Sequence, residues 1–219
     1  MSLTIFNFHG VGPVPREIDA GELDCWLEQD NFEAVLDLVR NRSDIRLTVD
    51  DGNLSDVEFI LPSLLRRGLT AEFFICSARL DQPTFLTRAQ VLELQSRGMT
   101  IGSHGSVHRP WRNLSPAQRS EEFGGSRAIL EKLCGVKIDT AACPFGAYDR
   151  VALRELRHAG YRKVYTSDEG CTRESNWLCA RTTVKRSTPL SEIKELVEHG
   201  PHPVTQALIH ARSFIKRQK

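Results

Sequence analysis

Residues 45–52 read IRLTVDDG. A short run of mostly apolar and β-branched residues stops at two adjacent carboxylates, Asp50 and Asp51, and a glycine follows. The run has the length and composition of a buried strand, and Gly52 permits a sharp turn after it. The pattern recurs along the chain. His9 ends IFNFH, His104 ends TIGSH, and Ser167 and Asp168 end VYTSD. Counted this way, TIFNF, IRLTV, AEFFIC, MTIGS, TAAC, KVYTS and LCARTTV are strand candidates.

The intervening segments carry helical signals. Val57, Ile60, Leu61, Leu64 and Leu65 form an apolar stripe at helical spacing, with Pro62 inside it, where a kink is expected. Ser55 with Glu58, Thr87 with Gln90 and Ser115 with Gln118 have the spacing of capping boxes. Gly68, Gly98, Gly135, Gly160 and Gly200 follow the helical patterns, where a left-handed closing residue is favoured. Strands alternating with helices imply an α/β fold with a mainly parallel sheet and outer helices, open or closed into a barrel. With no repeat or linker composition, a single domain over residues 1–219 is expected. The C-terminal ends of parallel strands form the functional rim of such folds, and the polar residues gather at those ends.

Charge and composition exclude some classes. Lys plus Arg number 29 against 28 Asp plus Glu, leaving no broad basic field for nucleic acid or an anionic membrane. No apolar run is long enough for a membrane span. The start MSLTIFNFHGVGP lacks a charged and then apolar leader, so a cytoplasmic location is expected. The six cysteines are scattered without a CxxC, as expected of reduced thiols.

His104 and His108 stand four residues apart after the strand MTIGS, so a helical turn or tight loop can aim both rings at one point. Two neutral imidazoles and a carboxylate make a three-donor site for a divalent cation, and Asp51 is the natural third ligand. Zinc is the first expectation from these donors, with cobalt, nickel or manganese as alternatives. Asp50 need not bind the ion, because successive side chains of a strand leave in different directions.

At this point the motifs, taken in order, resemble the polysaccharide deacetylases, the group that contains chitin and peptidoglycan deacetylases. LTVDDG resembles that family's Thr-Phe-Asp-Asp-Gly motif, SHGSVH its His-(Ser/Thr)-x-x-His motif with a preceding Ser, and ACPFGAYD a third motif in a variant without arginine. ILPSLLRRGLTAEFFI resembles the helix–strand link between the first two, with Glu72 where threonine is typical, and NLSPAQRSEEFGGSRAILEKLCG the helix that follows. The resemblance covers residues 45–167. It implies a distorted (β/α) barrel of about seven parallel strands, a cation on Asp51, His104 and His108, and Asp50 as general base. It also implies an oxyanion donor at the Phe145 backbone N–H, with Pro144 and Gly146 shaping that loop and Phe145 and Tyr148 offering rings to a sugar.

Two departures from the family pattern stand out. The third-motif arginine that holds the catalytic aspartate ionised is replaced by Ala142; Arg181, near the end of LCARTTV, is either a substitute or a surface residue. The late Leu-x-His motif that supplies a general acid matches Leu208 and His210, within a segment of helical character, and His9 competes for the role. The resemblance implies a metal-dependent hydrolase removing N-acetyl groups from an amino-sugar oligo- or polysaccharide or a precursor. A related amidase on a non-sugar amide and a catalytically silent carbohydrate-binding homologue are the alternatives.

Overall fold

The computed structural model describes residues 2–18 and 20–218; the side chains of residues 203–205, 210, 212 and 215 fall outside that description. Eleven strands are formed among the described residues: β1 (Ser2–Phe8), β2 (Gly10–Val11), β3 (Trp26–Leu27), β4 (Ile45–Asp51), β5 (Glu72–Ile75), β6 (Thr100–Ser103), β7 (Thr140–Ala142), β8 (Lys163–Thr166), β9 (Cys171–Arg173), β10 (Leu178–Ala180) and β11 (Thr182–Thr183). The main sheet runs β10-β8-β7-β6-β5-β4-β1-β11, every neighbouring pair parallel. β10 and β11 lie at opposite ends of that order yet are separated in sequence only by Arg181. One short stretch therefore touches both edges of the sheet and nearly closes it into a barrel, with helices outside. Counting that stretch once gives seven parallel positions, the expected number. β9, which pairs antiparallel with β1, and the small β2–β3 ribbon have no counterpart in the sequence reading.

Alternation along the strands sorts the residues into two layers. Phe6, Phe8, Leu47, Val49, Phe73, Ile75 and Ile101 join the large outer core under the helices. The helix Gln29–Val39 meets that core with Phe32, Val35, Leu36 and Val39, an i, i+3, i+4, i+7 stripe, all buried. Burying one such side chain stabilises the fold by about 1.5–3 kcal/mol. The opposite parity fills the barrel with a smaller cluster of Ile5, Phe74, Ala142, Tyr165 and Cys179. Gly102 is required here, since a Cβ would lie 2.4 Å from the Phe74 ring. One step further along β1, β4 and the closing stretch, towards the C-terminal end, the inward residues are polar: Asn7, Asp50 and Arg181.

Local signals were met unevenly. Both Thr87–Gln90 and Ser115–Gln118 form full capping boxes, and the five glycines named after helices all have positive φ. Ser55 makes no cap bond; its hydroxyl instead accepts from the Val11 N–H at 3.4 Å, tying β2 to the segment after β4. Pro62 gives no simple kink. The chain makes a π-helical stretch, Asp56–Ile60, that runs without a break into the α-helix Leu61–Arg66, so the wider turn lies just before Pro62, which has no N–H to continue the helical bonding. None of the six cysteines is in a disulfide. No helix of the described residues is long and apolar enough to cross a membrane.

Candidate metal centre and active site

The polar ends of β1, β4 and β6 meet at one mouth of the barrel. Asp51 has φ +83° and Gly52 φ +75°, so the chain reverses immediately after β4. His104 follows β6, and its N–H still bonds the Ile75 carbonyl at 2.9 Å. Beyond it the chain forms a loop rather than a helical turn, with Gly105 at φ +78° and His108 at φ +57°. That loop brings His108 Nε2 to 3.0 Å from Asp51 Oδ1, while His104 Nε2 lies 3.6 Å from the same oxygen. One donor atom from each of the three residues falls within 4.8 Å of the others.

The donors suit a divalent cation. His104 Nδ1 is 2.9 Å from the Ala142 carbonyl, which can only accept; Nδ1 therefore carries the proton and Nε2 keeps a free lone pair. Burial lowers the His104 pKa and pushes that of His108 down to about 4, so both rings are neutral and ready to ligate. The separations of Asp51 Oδ1 from the two ring nitrogens, 3.0 and 3.6 Å, are short enough for each ring to share with it an ion at the roughly 2.0–2.2 Å typical of zinc with nitrogen and carboxylate donors. Arg79 Nη1, 3.4 Å from Asp51 Oδ1, balances the carboxylate charge from the cleft side.

Asp50 stands beside this cluster. Its Oδ2 is 3.9 Å from His104 Nε2, and Arg181 grips both of its oxygens, Nη1 to Oδ1 at 2.7 Å and Nη2 to Oδ2 at 2.8 Å. Arg181 is wholly buried, not a surface residue. It rests on the floor of the barrel, its guanidinium carbon 5.3 Å from the Phe74 ring centre and 5.8 Å from that of Tyr165, and donates also to Asn7 Oδ1 and Thr48 Oγ1. Asn7 donates to Asp50 Oδ2 at 2.9 Å. Burial alone would raise the Asp50 pKa, but the charge and the hydrogen bonds of Arg181 outweigh it and hold the carboxyl well below the usual range. An arginine is thus present beside the aspartate, although it comes from the strand that closes the barrel rather than from position 142.

The remaining predicted residues divide. His9 follows β1 with Nε2 3.9 Å from Asp50 Oδ2 and lines the cleft above the site. Phe145 is 67% exposed at the same cleft, its ring centre 4.4 Å from that of His108. Pro144 and Gly146 are buried in the turn beneath it; a Cβ on Gly146 would meet Ser167 at 2.9 Å. Tyr148 corrects the sequence reading. It is fully buried, its hydroxyl donates to Asp168 Oδ2 at 2.6 Å, and it presents no ring to a ligand. His210 sits within the helix Pro203–Gln218, and its side chain lies outside the described residues.

Two contributors escaped the sequence reading. Asn7 had a faint signal, a polar residue two positions before His9 within an apolar strand. Glu122 had none. It is fully buried, accepts from the Ser106 N–H at 2.8 Å and the Val107 N–H at 3.4 Å, and has Arg109 Nε 2.9 Å away, so it holds the backbone linking the two histidines. Gly105 lets it approach, since a Cβ there would lie 2.1 Å from Glu122 Oε2.

Comparison with known proteins gives the family and the fold. The family model for polysaccharide deacetylase matches residues 38–164, more than half of the chain. The chain belongs to the polysaccharide deacetylase family. Among curated members of related sequence, YxkH of Bacillus subtilis (strain 168) is 24% identical over 147 residues, 67% of this chain and 53% of that protein. This chain thus spans about half the length of that relative. Among solved structures, the deacetylase PplD of Streptococcus pyogenes in complex with acetate superposes with a TM-score of 0.78 at 17% identity, over 90% of this chain and 99% of that one. IcaB from Ammonifex degensii gives 0.77 at 19% identity, over 90% and 97%. These likenesses establish the polysaccharide deacetylase (β/α) barrel as the fold.

Proposed function

We propose that this family member is a metal-dependent hydrolase that removes N-acetyl groups from an amino-sugar oligo- or polysaccharide or its precursor. The observation that carries the reading is Asp50, an ionised, arginine-held carboxylate placed beside the three-donor cluster but not needed by it. A protein that only bound metal and sugar would have no use for a spare base.

Asp51, His104 and His108 would hold the cation. A divalent ion on these donors, zinc first and cobalt, nickel or manganese as alternatives, supplies Lewis acidity toward the acetyl carbonyl and acidifies water toward a pKa of about 7. Asp50 accepts the proton of the attacking water, and Arg181 with Asn7 keeps the carboxylate fixed and charged before that transfer. The Phe145 N–H donates to the developing oxyanion, and the exposed Phe145 ring offers an apolar face to the sugar. His9, at the cleft and within reach of Asp50, returns a proton from Nε2 to the departing amine. One acetamide and one water thus give one amine and one acetate. The cleft above these groups has a volume of about 640 Å³, bordered by His9, Arg79, His108, Phe145 and Lys185 among others, room for a short glycan segment.

The test is acetate release from N-acetylglucosamine oligomers by the metal-loaded protein and by its His104→Ala variant. The wild type is expected to release acetate and the variant to lose at least about 10²-fold in rate. Equal release by the two proteins would remove the site from the chemistry.

A further inference from the structure

The turn that carries Phe145 is strained. Phe145 and Gly146 both have φ +57°, a region that a phenylalanine occupies only where its surroundings insist on it. Inside the turn, the Gly146 N–H bonds the Cys143 carbonyl and the Ala147 N–H bonds the Pro144 carbonyl, each at 2.9 Å. Those two bonds define the turn but do not involve the Gly146 carbonyl.

A side chain far away in sequence takes up that carbonyl. Lys216, in the last turn of the helix Pro203–Gln218, donates from Nζ to Gly146 O at 2.5 Å and to Asp168 Oδ1 at 2.5 Å. Its Nζ also lies 4.3 Å from the Tyr148 ring centre, and the Tyr148 hydroxyl takes the second oxygen of Asp168. The Asp168 side chain is only 8% exposed, so the pair is less screened than a surface ion pair. Arg217 neighbours the same phenol. At the other end of the helix, Gln206 Oε1 accepts from the Cys171 N–H at 2.9 Å, and Ile209 and Ser213 are buried between the two anchors. Ten residues of helix, about 15 Å, separate Gln206 from Lys216. The helix therefore reaches from β9 to the rim of the barrel.

We propose that Lys216 is a positioning residue: the helix is a strap whose terminal cation, braced by Asp168 and Tyr148, fixes the Phe145 turn beside His108. The backbone N–H assigned to the oxyanion and the exposed ring above it are held by one lysine on the far side of the loop. This extends the deacetylase reading, and the catalytic part of it rests on that reading. It also gives Tyr148 and Asp168 a role, as braces behind the loop rather than ligand contacts.

The experiment combines amide hydrogen exchange with steady-state acetate release for wild type, Lys216→Met, Lys216→Arg and Asp168→Asn. In Lys216→Met, exchange at the Gly146 and Ala147 amides is expected to quicken about tenfold while barrel-strand protection stays unchanged. With N-acetylglucosamine oligomers, kcat should fall about 10²-fold with KM within about twofold, the signature of a displaced oxyanion donor. Lys216→Arg should restore most of both, and Asp168→Asn should reproduce the methionine variant from the other side of the pair. A helix that merely packs would show neither the local exchange change nor the arginine rescue. Unchanged exchange at 146 and 147, or faster exchange with unaltered kcat in an active wild type, overturns the proposal. Failure of the wild type to release acetate would count against the deacetylase reading alone, because the exchange result judges the strap without it.

Discussion

Asp50→Asn is expected to reduce kcat for acetate release by about 10³-fold, within the range typical of losing a general base, while cation binding persists. Asparagine fills the same volume but cannot take a proton. The three donors of Asp51, His104 and His108 are untouched by the change, so the number of ions bound per chain should stay the same. The second consequence is structural. Arg181 is wholly buried, and in the variant its guanidinium faces a neutral amide. Asn7, Thr48 and the Thr166 carbonyl still occupy its donors, which limits the damage. Steady-state kinetics, ion counting and a thermal melt on one preparation separate these effects. A variant that kept more than a tenth of wild-type kcat would assign the base elsewhere.

Arg181→Met should have the larger effect on stability. It removes the partner of a buried carboxylate, and breaking such a pair costs about 3–5 kcal/mol, or roughly 10 °C of melting temperature for a chain of this size. The pH dependence has a definite sign. In the wild type the Asp50 pKa is held below its unfolded value, so its ionisation adds stability at pH above that unfolded value and the contribution is lost as pH falls. Without the guanidinium, burial is no longer outweighed and the carboxyl pKa rises. The acid limb of the pH–rate profile then moves to higher pH, and the stability lost by mutation shrinks as pH is lowered and Asp50 becomes neutral. A profile whose acid limb does not move would show that Arg181 is not what keeps Asp50 ionised.

The barrel was legible in the sequence because each parallel strand is a short apolar run ending in polar residues. The cluster of His104, His108 and Asp51 was legible for the same reason, since the strand ends fix which residues meet. What could not be read depends on closure and on long-range contacts. Arg181 is an ordinary arginine in LCARTTV until β10 and β11 are seen to join opposite edges of one sheet, which turns its side chain into the barrel. Glu122 sits in a helix whose charged neighbours suggest a solvated face, yet a π-helical stretch, Ser120–Gly125, carries it under the histidine loop. Tyr148 was misread because a tyrosine beside a glycine-containing loop suggests a ligand platform; its hydroxyl has a buried carboxylate partner instead. The Ser55 box failed because Ser55 is already helical, at φ -57° and ψ -20°, rather than in the extended conformation of a cap.

On the proposed reading, Asp51, His104 and His108 form one cation site. Its most direct test is to titrate metal-stripped protein with zinc by calorimetry and repeat the titration with Asp51→Ala and His104→Ala. One ion per wild-type chain, with affinity falling at least about 10²-fold in each variant, is the predicted result. Wild-type stoichiometry and affinity retained in both variants would place the ion elsewhere and contradict the account.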